Sequence, residues 1–380
     1  MERSYRGVNK EREEMLVNVD AKELTGCLQI VSSIINPKNT ELLRRQVLVN
    51  VSEDGMLLKT VNEYAMMSAT VTTDIKETGK ICVDVFSLIG LVSKFAGNIQ
   101  IGSVQAKSGT HNVLVVSSGR SEYKIPDYPL QEFEPLTEIK EIDSKVHKVD
   151  LKQLKEALSC IYSSADKEHE ALSGVYVAHS DTYDSLTCSD IQLGAHVRRK
   201  DLIDMPEGIL PKFLIDFIMR LSDLRYLEYK EENGYYFGCA GKFRFGYRTP
   251  NCSYPWAELK NCIDESKDAD KSFTFNKAHL YEALHRIGVV ADDKTHAVRI
   301  NIKNSEMELL VEGPGYSGKE YVDLTEPVDF EYSILVDGNY MLGILKEFEG
   351  PVSWSFTTSD LTQFITDGYL LKFFVGLVDD

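Results

Sequence analysis

Four groups of side chains in this 380-residue chain are of types that chemistry uses, yet none has the spacing to commit it. Cys160 closes an apolar stretch and could serve as a nucleophile, but its neighbours suit a small buried hydrophobe better than a thiolate. Asp264, Asp268 and Asp270 could offer oxygens to calcium. Their stretch lacks the central glycine and terminal glutamate of an EF-hand loop, and reads as a solvated linker. His279 and His285 lie six residues apart on one expected helix, which turns them to different faces and argues against a shared metal. Tyr235, Tyr236, Phe237, Phe243, Phe245 and Tyr247 could stack on bases, although alternation around glycines is what strand packing needs. No GxGxxG, Walker loop, HExxH or GxSxG occurs. The expectation is a non-enzyme with no catalytic residue, metal or cofactor.

The seven cysteines (Cys27, Cys82, Cys160, Cys188, Cys239, Cys252, Cys262) form no CxxC pair, which argues against a disulfide framework or structural zinc and for a reducing compartment. No apolar run reaches the roughly 18 residues of a membrane span. The first 14 residues, MERSYRGVNKEREE, read as a short disordered arm, and the expected location is cytoplasmic, without membrane partners. With 43% apolar and 27% charged residues the composition is that of a globular protein of two or three domains. A net charge of -17 argues, at face value, against a generic nucleic-acid binder.

The elements that would position such side chains recur. VNVDAKELTGCLQIV from Val17, HKVDLKQLKEALSCI from His147 and FTFNKAHLYEALHRI from Phe273 each run a short strand into Asp20, Asp150 or Asn276. Each of those side chains can cap a helix whose apolar residues follow at three- and four-residue intervals. Leu24 and Leu28, Leu154 and Leu158, and Leu280 and Leu284 hold matching places. The caps are 130 and 126 residues apart. Alternating hairpins follow each helix, with Asp54–Gly55 the strongest turn signal. A second strand and helix then begin near Cys82, Ile209 and Ile334, and paired strands close each unit. Leu88, Leu91, Leu214, Phe217, Met341 and Leu345 need a sheet face on which to be buried.

Proline-rich 125–144 and polar 261–272 are the seams. The domain expectation is an arm at 1–14 and units at 15–143, 144–265 and 266–380. The fold class is α+β, three tandem domains, each with two helices on antiparallel sheet. No helical window carries net negative charge, so the rest of the chain carries the whole acidic excess. Repeated units joined in register curve into an arc, and closed arcs make a ring whose helices could face a duplex. The candidate DNA-facing cations are Lys22, Lys38, Arg44, Arg45, Lys94, Lys152, Lys155, Lys212, Arg220, Lys277, Arg286 and Lys346.

On these repeats the chain resembles the bacterial-type beta sliding clamp, the DNA polymerase III beta subunit family, over about residues 15–380. SGRSEYKIP at 118–126 is similar to the end of that family's first domain. LTCSDIQLGAHV at 186–197 is similar to its Thr-Asp-Gly-His-Arg-Leu hairpin, and NCSYPWAELK at 251–260 to its Phe-Pro-Asp-Tyr strand-to-loop passage. The resemblance implies a head-to-tail homodimeric ring around double-stranded DNA, held nonspecifically. It also implies tethering of a replicative DNA polymerase for processive synthesis and placement by an ATP-dependent clamp loader.

The resemblance further implies a groove for partner peptides, formed by Ser189, Ile191, Gln192, Leu193, Gly194, Pro255, Leu259, Asp337, Tyr340, Val375, Gly376, Leu377 and Val378. Two departures stand out. Ile191, Gln192, Leu193 and Gly194 replace Gly-His-Arg-Leu, and Gly376, Leu377, Val378, Asp379 and Asp380 replace the family's basic C-terminal ending. Such divergence points to a virus or another fast-diverging replicon. The alternative is a noncatalytic ring or arc that gathers protein partners without being loaded on DNA. A positive, duplex-wide channel distinguishes the first reading; a neutral or blocked one, the second.

Overall fold

Short capping side chains set the frame. Asp20 Oδ1 accepts from the amide of Glu23 at 2.8 Å, Asp84 Oδ1 from Ser87 at 2.7 Å, Asn276 Oδ1 from Ala278 at 2.9 Å and Asp337 Oδ1 from Tyr340 at 3.0 Å. Each satisfies an amide that the first helical turn leaves unpaired, so strand passes directly into helix. The computed structural model describes residues 15–38, 42–105, 112–130, 143–166, 169, 172–190, 192–200, 204–222, 224–248, 254–292, 294–313, 315–357 and 362–377. The arm expected at 1–14 lies outside the described residues.

The first repeat runs β1 (Leu16–Asp20), α1 (Ala21–Val31), β2 (Gln46–Ser52), β3 (Gly55–Val61), β4 (Ala65–Val71), β5 (Asp74–Glu77), β6 (Gly79–Asp84), α2 (Val85–Val92), β7 (Asn98–Gln105), β8 (Asn112–Ser118) and β9 (Ser121–Pro126). The second runs β10 (His147–Asp150), α3 (Leu151–Ile161), β11 (Val175–His179), β12 (Asp184–Ser189), β13 (Leu193–Arg199), β14 (Gly208–Leu210), α4 (Lys212–Arg220), β15 (Tyr226–Glu232), β16 (Tyr235–Ala240) and β17 (Phe243–Arg248). After it comes α5 (Trp256–Glu265). The third runs β18 (Lys271–Asn276), α6 (Lys277–Ile287), β19 (Ala297–Lys303), β20 (Glu306–Gly313), β21 (Tyr316–Asp323), β22 (Glu331–Asp337), α7 (Gly338–Lys346), β23 (Pro351–Phe356), β24 (Thr362–Thr366) and β25 (Leu370–Val375).

Pairing does not respect the repeats. The strands form four antiparallel sheets, ordered β5-β1-β7-β8-β9, β10-β15-β16-β17-β4-β3-β2-β6, β14-β11-β12-β13-β25-β24-β23-β18 and β21-β20-β19-β22. The chain divides into two compact units, 1–151 with 216–251, and 152–215 with 252–380. The first two sheets lie in the first unit and the last two in the second. Within the first unit β17 pairs with β4, Phe243 opposite Ala69 and Tyr247 opposite Ala65. Within the second, β13 pairs with β25, Leu193 opposite Phe374 and Val197 opposite Leu370. The second repeat therefore lends half its strands to each unit.

The repeat leucines Leu24, Leu28, Leu154, Leu158, Leu280 and Leu284 are all fully buried, as are Leu214, Phe217 and Leu345, with Leu88 and Met341 close behind. Leu91, expected in the core, is only half-buried, as the penultimate residue of its helix. In the first unit α1 packs beside α2 and over β3 and β4; in the second, α6 packs beside α7 and over β20 and β21.

Two local expectations are corrected. Within the stretch likened to a strand-to-loop passage the described residues 254–260 lead into a helix, and 261–272 is not wholly a polar joint: α5 covers Trp256–Glu265. Leu259 and Ile263, four residues apart, give it an apolar stripe that packs with Tyr254, Phe364, Leu371 and Phe373. Trp256 stacks on Tyr176 with ring centroids 4.8 Å apart. Of the acids that suggested a linker, Asp264 falls in the last turn of α5, and Asp268 and Asp270 follow its end, exposed. No described helix is long and apolar enough to cross a membrane.

Candidate functional site

Within the second unit, the start of α7, the end of β22 and the last described residues meet in a recess. Its walls are Gln192, Val336, Asp337, Tyr340, Met341, Phe374, Val375, Gly376 and Leu377, around a volume of about 290 Å³. The backbone after β25 is held by the amide of Leu377, which donates to the carbonyl of Leu335 at 2.8 Å. Gly376 lies close against β22, where a Cβ would stand 2.8 Å from the Ile334 side chain. Across the β13–β25 pair, the ring of Phe373 lies over Gly194, where a Cβ would come within 1.8 Å of it. Both glycines are thus fixed by close approach.

Polar order comes from Asp190. Its Oδ1 accepts from the amides of Gln192 and Leu193 at 3.1 and 2.8 Å, closing the β12–β13 hairpin. The same carboxylate accepts from the Tyr340 hydroxyl. Burial, together with that negative charge, holds the Tyr340 phenol well above its ordinary pKa, so it stays a donor. The recess thus offers apolar walls with exposed Gln192 and half-buried Asp337 at its polar side, the arrangement a short amphipathic peptide needs.

Of the expected groove residues, Gln192, Asp337, Tyr340, Val375, Gly376 and Leu377 line this recess. Leu193 and Gly194 lie beside it in β13, opposite Phe374 and Phe373, and Ser189 is buried at the end of β12. Pro255 and Leu259 instead sit at and within α5, with Leu259 packed into the cluster under that helix. Ile191 and Val378 lie outside the described residues. The sequence reading missed Val336, Met341 and Phe374 as lining residues. Each is the chain neighbour of a residue that was expected, Val336 of Asp337, Met341 of Tyr340 and Phe374 of Val375, so adjacency in sequence was the available signal.

The expected DNA-facing cations differ in availability. Lys22, Lys38, Lys94, Lys152, Lys212 and Lys346 are exposed. In the first unit, Lys22 and Arg220 share the rim of a recess of about 740 Å³ with Lys242. Arg220 donates to the carbonyl of Gln29 at 3.0 Å, and Lys242 binds Glu23 at 2.6 Å. Arg44 pairs with Glu63. Arg45 is committed to Asp84 at 3.1 Å and lies over Phe86, so it buttresses the N-terminus of α2. Lys155 and Lys277 are half-buried, Lys277 against Tyr281. Arg286 makes two bonds of 2.9 Å to Glu320 on β21.

The side chains considered for other chemistry are accounted for structurally. Cys160 is half-buried and burial raises its pKa, which disfavours a thiolate. His279 and His285 are exposed on α6. Asp264 pairs with Lys267. Of the aromatic run, Tyr236, Phe237, Phe243, Phe245 and Tyr247 are buried in strand packing and Tyr235 is exposed. Among the described residues no group of three or more His, Cys, Asp or Glu could hold a metal ion.

Comparison with known proteins places the fold. No protein-family model matches the chain, and no curated protein does. Solved structures match over nearly all of it. The DNA polymerase III beta subunit of Thermotoga maritima aligns with a TM-score of 0.83 and 19% identity, covering 96% of this chain and 100% of that one. The beta sliding clamp of C. crescentus aligns at 0.82 with 16% identity and the same coverage. The DNA polymerase sliding clamp of Bacillus subtilis aligns at 0.81 with 16% identity, over 97% of this chain and all of that one. The fold is therefore that of the beta sliding clamps.

Proposed function

We propose that this protein is a DNA sliding clamp: a ring of two copies that encircles duplex DNA and tethers a replicative polymerase. The reading rests on one observation, the correspondence of 96% of the chain with the whole of a DNA polymerase III beta subunit. It takes the three repeats as domains at 15–143, 144–265 and 266–380. Contacts with DNA would come from exposed lysines such as Lys22 and Lys346 and would address phosphates, which permits sliding because phosphates carry no sequence. The net charge of -17 then belongs to surfaces away from the duplex. The recess around Tyr340 is the place for a linear peptide of the polymerase or of an ATP-dependent loader.

The test is retention on circular and on linear duplex after loading by the cognate machinery. A topological tether stays on the closed circle in high salt and runs off once the circle is cut. Equal release from both forms, with loading verified, would leave a ring or arc that gathers proteins without DNA.

A further inference from the structure

The recess of about 740 Å³ in the first unit has no part of its own in the reading above. Along α1 it is lined by Lys22, Gly26 and Ile30, which follow at intervals of four and so form one row on the helix. Leu221 and Leu224, just beyond the end of α4, and Lys242 and Phe243, where β17 begins, also line it. The turn that delivers Lys242 depends on Gly241, which takes φ +57° and has the Leu224 side chain 3.0 Å from where a Cβ would stand. Most of the lining is apolar. Cys27 belongs to that part, and burial raises its thiol above the ordinary pKa, so it adds no charge.

Gly26 keeps the recess open. It lies in the interior of α1, where glycine is less stable than alanine, and its backbone is helical, so no left-handed turn calls for it. Nothing stands within 4 Å of where its Cβ would be, so no close neighbour calls for it either. A side chain there would enter space that is now part of the recess.

Charge decides what that space suits. Lys242 is neutralised by Glu23 at 2.6 Å, and Asp20 directs its carboxylate to the amide of Glu23 at 2.8 Å. Arg220 donates to the carbonyl of Gln29, a neutral acceptor that leaves its charge uncompensated and other N–H groups of the guanidinium to spare. Among the described residues neither Arg220 nor Lys22 has a carboxylate partner. In a chain of net charge -17, an apolar hollow thus carries two uncompensated cations at its rim. Their aliphatic stems can lie along the lining while the charged ends stay in water. Size narrows the occupant further. The volume falls within the roughly 300–1,000 Å³ of sites that take whole small molecules, whereas the recess around Tyr340, at about 290 Å³, is sized for a side chain or two. A duplex has phosphates for the cations but no apolar body to set against Leu221 and Phe243.

We propose that this recess binds a small apolar anion, one carboxylate or sulfonate on an aliphatic or aromatic body, with the anionic group at Lys22 and Arg220 and the body against Cys27, Ile30 and Phe243. The site lies within one compact unit and needs neither a second copy nor DNA.

The probe is anilinonaphthalene sulfonate, an aromatic anion whose fluorescence rises in apolar surroundings, titrated into the full chain without DNA. Gly26→Leu fills the space and touches no charge, and leucine is the better helix former, so its urea midpoint should not fall. Expected is a saturable site that Gly26→Leu weakens at least tenfold and Gly26→Ala retains. Decanoate or naphthoate should displace the dye, the stronger competitor naming the body as aliphatic or aromatic. Decanol has the tail of decanoate without its charge and should compete at least tenfold more weakly. Arg220→Gln leaves the space unchanged and should weaken decanoate but not decanol. Dye binding to folded Gly26→Leu equal to that of the unsubstituted chain, or no displacement by either acid, overturns the site. Decanol competing as well as decanoate, or Arg220→Gln weakening both alike or neither, overturns the anion and leaves a place for a neutral ligand or for the apolar anchor of a partner protein.

Discussion

The hydroxyl of Tyr340 lies 3.0 and 3.1 Å from the two carboxylate oxygens of Asp190, 150 residues away in the chain. Because Asp190 also closes the β12–β13 hairpin, one carboxylate fixes both that turn and the first turn of α7. Tyr340→Phe keeps the apolar wall and removes the link. Hydrogen bonds to charged groups contribute about 1.5–3 kcal/mol, so a loss of roughly that size, discounted for the two amides Asp190 retains, is expected in urea unfolding followed by tryptophan fluorescence. An unchanged midpoint would mean that the bond contributes no net stability.

His196 is 3% exposed, and its Nε2 has no hydrogen-bond partner among the described residues. Burial, reinforced by Arg198 and Lys267, pushes its pKa down to about 3. The unfolded chain protonates the ring below about 6.5 and the folded chain does not, so stability is complete above that pH and falls as pH drops from 6.5 towards 3. One such group changes stability by on the order of 2 kcal/mol between pH 7 and pH 5. His196→Phe should flatten that interval in denaturation curves at the two pH values; an equally steep curve in the variant would assign the dependence to other groups.

Leu24 and Leu280 hold equivalent positions and are both fully buried, one in each compact unit. Replacement by alanine should cost about 2–5 kcal/mol at either site. The readouts must differ. Both tryptophans, Trp256 and Trp354, belong to the second unit, so fluorescence reports Leu280→Ala while Leu24→Ala needs far-ultraviolet circular dichroism. A Leu24→Ala effect seen equally in fluorescence would show that the units unfold as one.

For the proposed binding to DNA, Lys22→Ala and Lys346→Ala should each reduce the slope of log affinity against log salt by about 1.8, since a ring of two copies loses two phosphate contacts at about 0.9 each. Arg45→Ala should act differently. Its guanidinium serves Asp84 at the start of α2, so the expected change is in stability with little change in salt slope. A slope change from Arg45→Ala alone would reverse that assignment.

The parts of this fold that the sequence makes legible are those encoded locally. Asp20, Asn276 and Asp337 cap helices because a short acceptor after a strand has few other uses, and the leucine spacing behind the first two names the buried face. Pairing between repeats is not local. Nothing in Ala65–Val71 or Phe243–Arg248 announces that β4 and β17 are partners, since alternation fixes which face is buried but not which edge is joined. Helix α5 was hidden for another reason: ten residues with two buried apolar positions are too short for periodicity to outweigh the acids beside them. Tyr340 was named only through the family resemblance; its partner Asp190 was not, because a hairpin aspartate is adequately explained by the turn.

The mismatch between repeats and sheets also bears on proteolysis. A nick between β9 and β10 severs the polypeptide at the natural seam of the sequence, yet β17 would remain hydrogen-bonded to β4 and the pieces would stay together. A fragment made by ending the chain near 143 would lack that cover. Ala65–Val71 would then present a row of unpaired amides and carbonyls along an apolar strand, a template for aggregation rather than a free-standing domain.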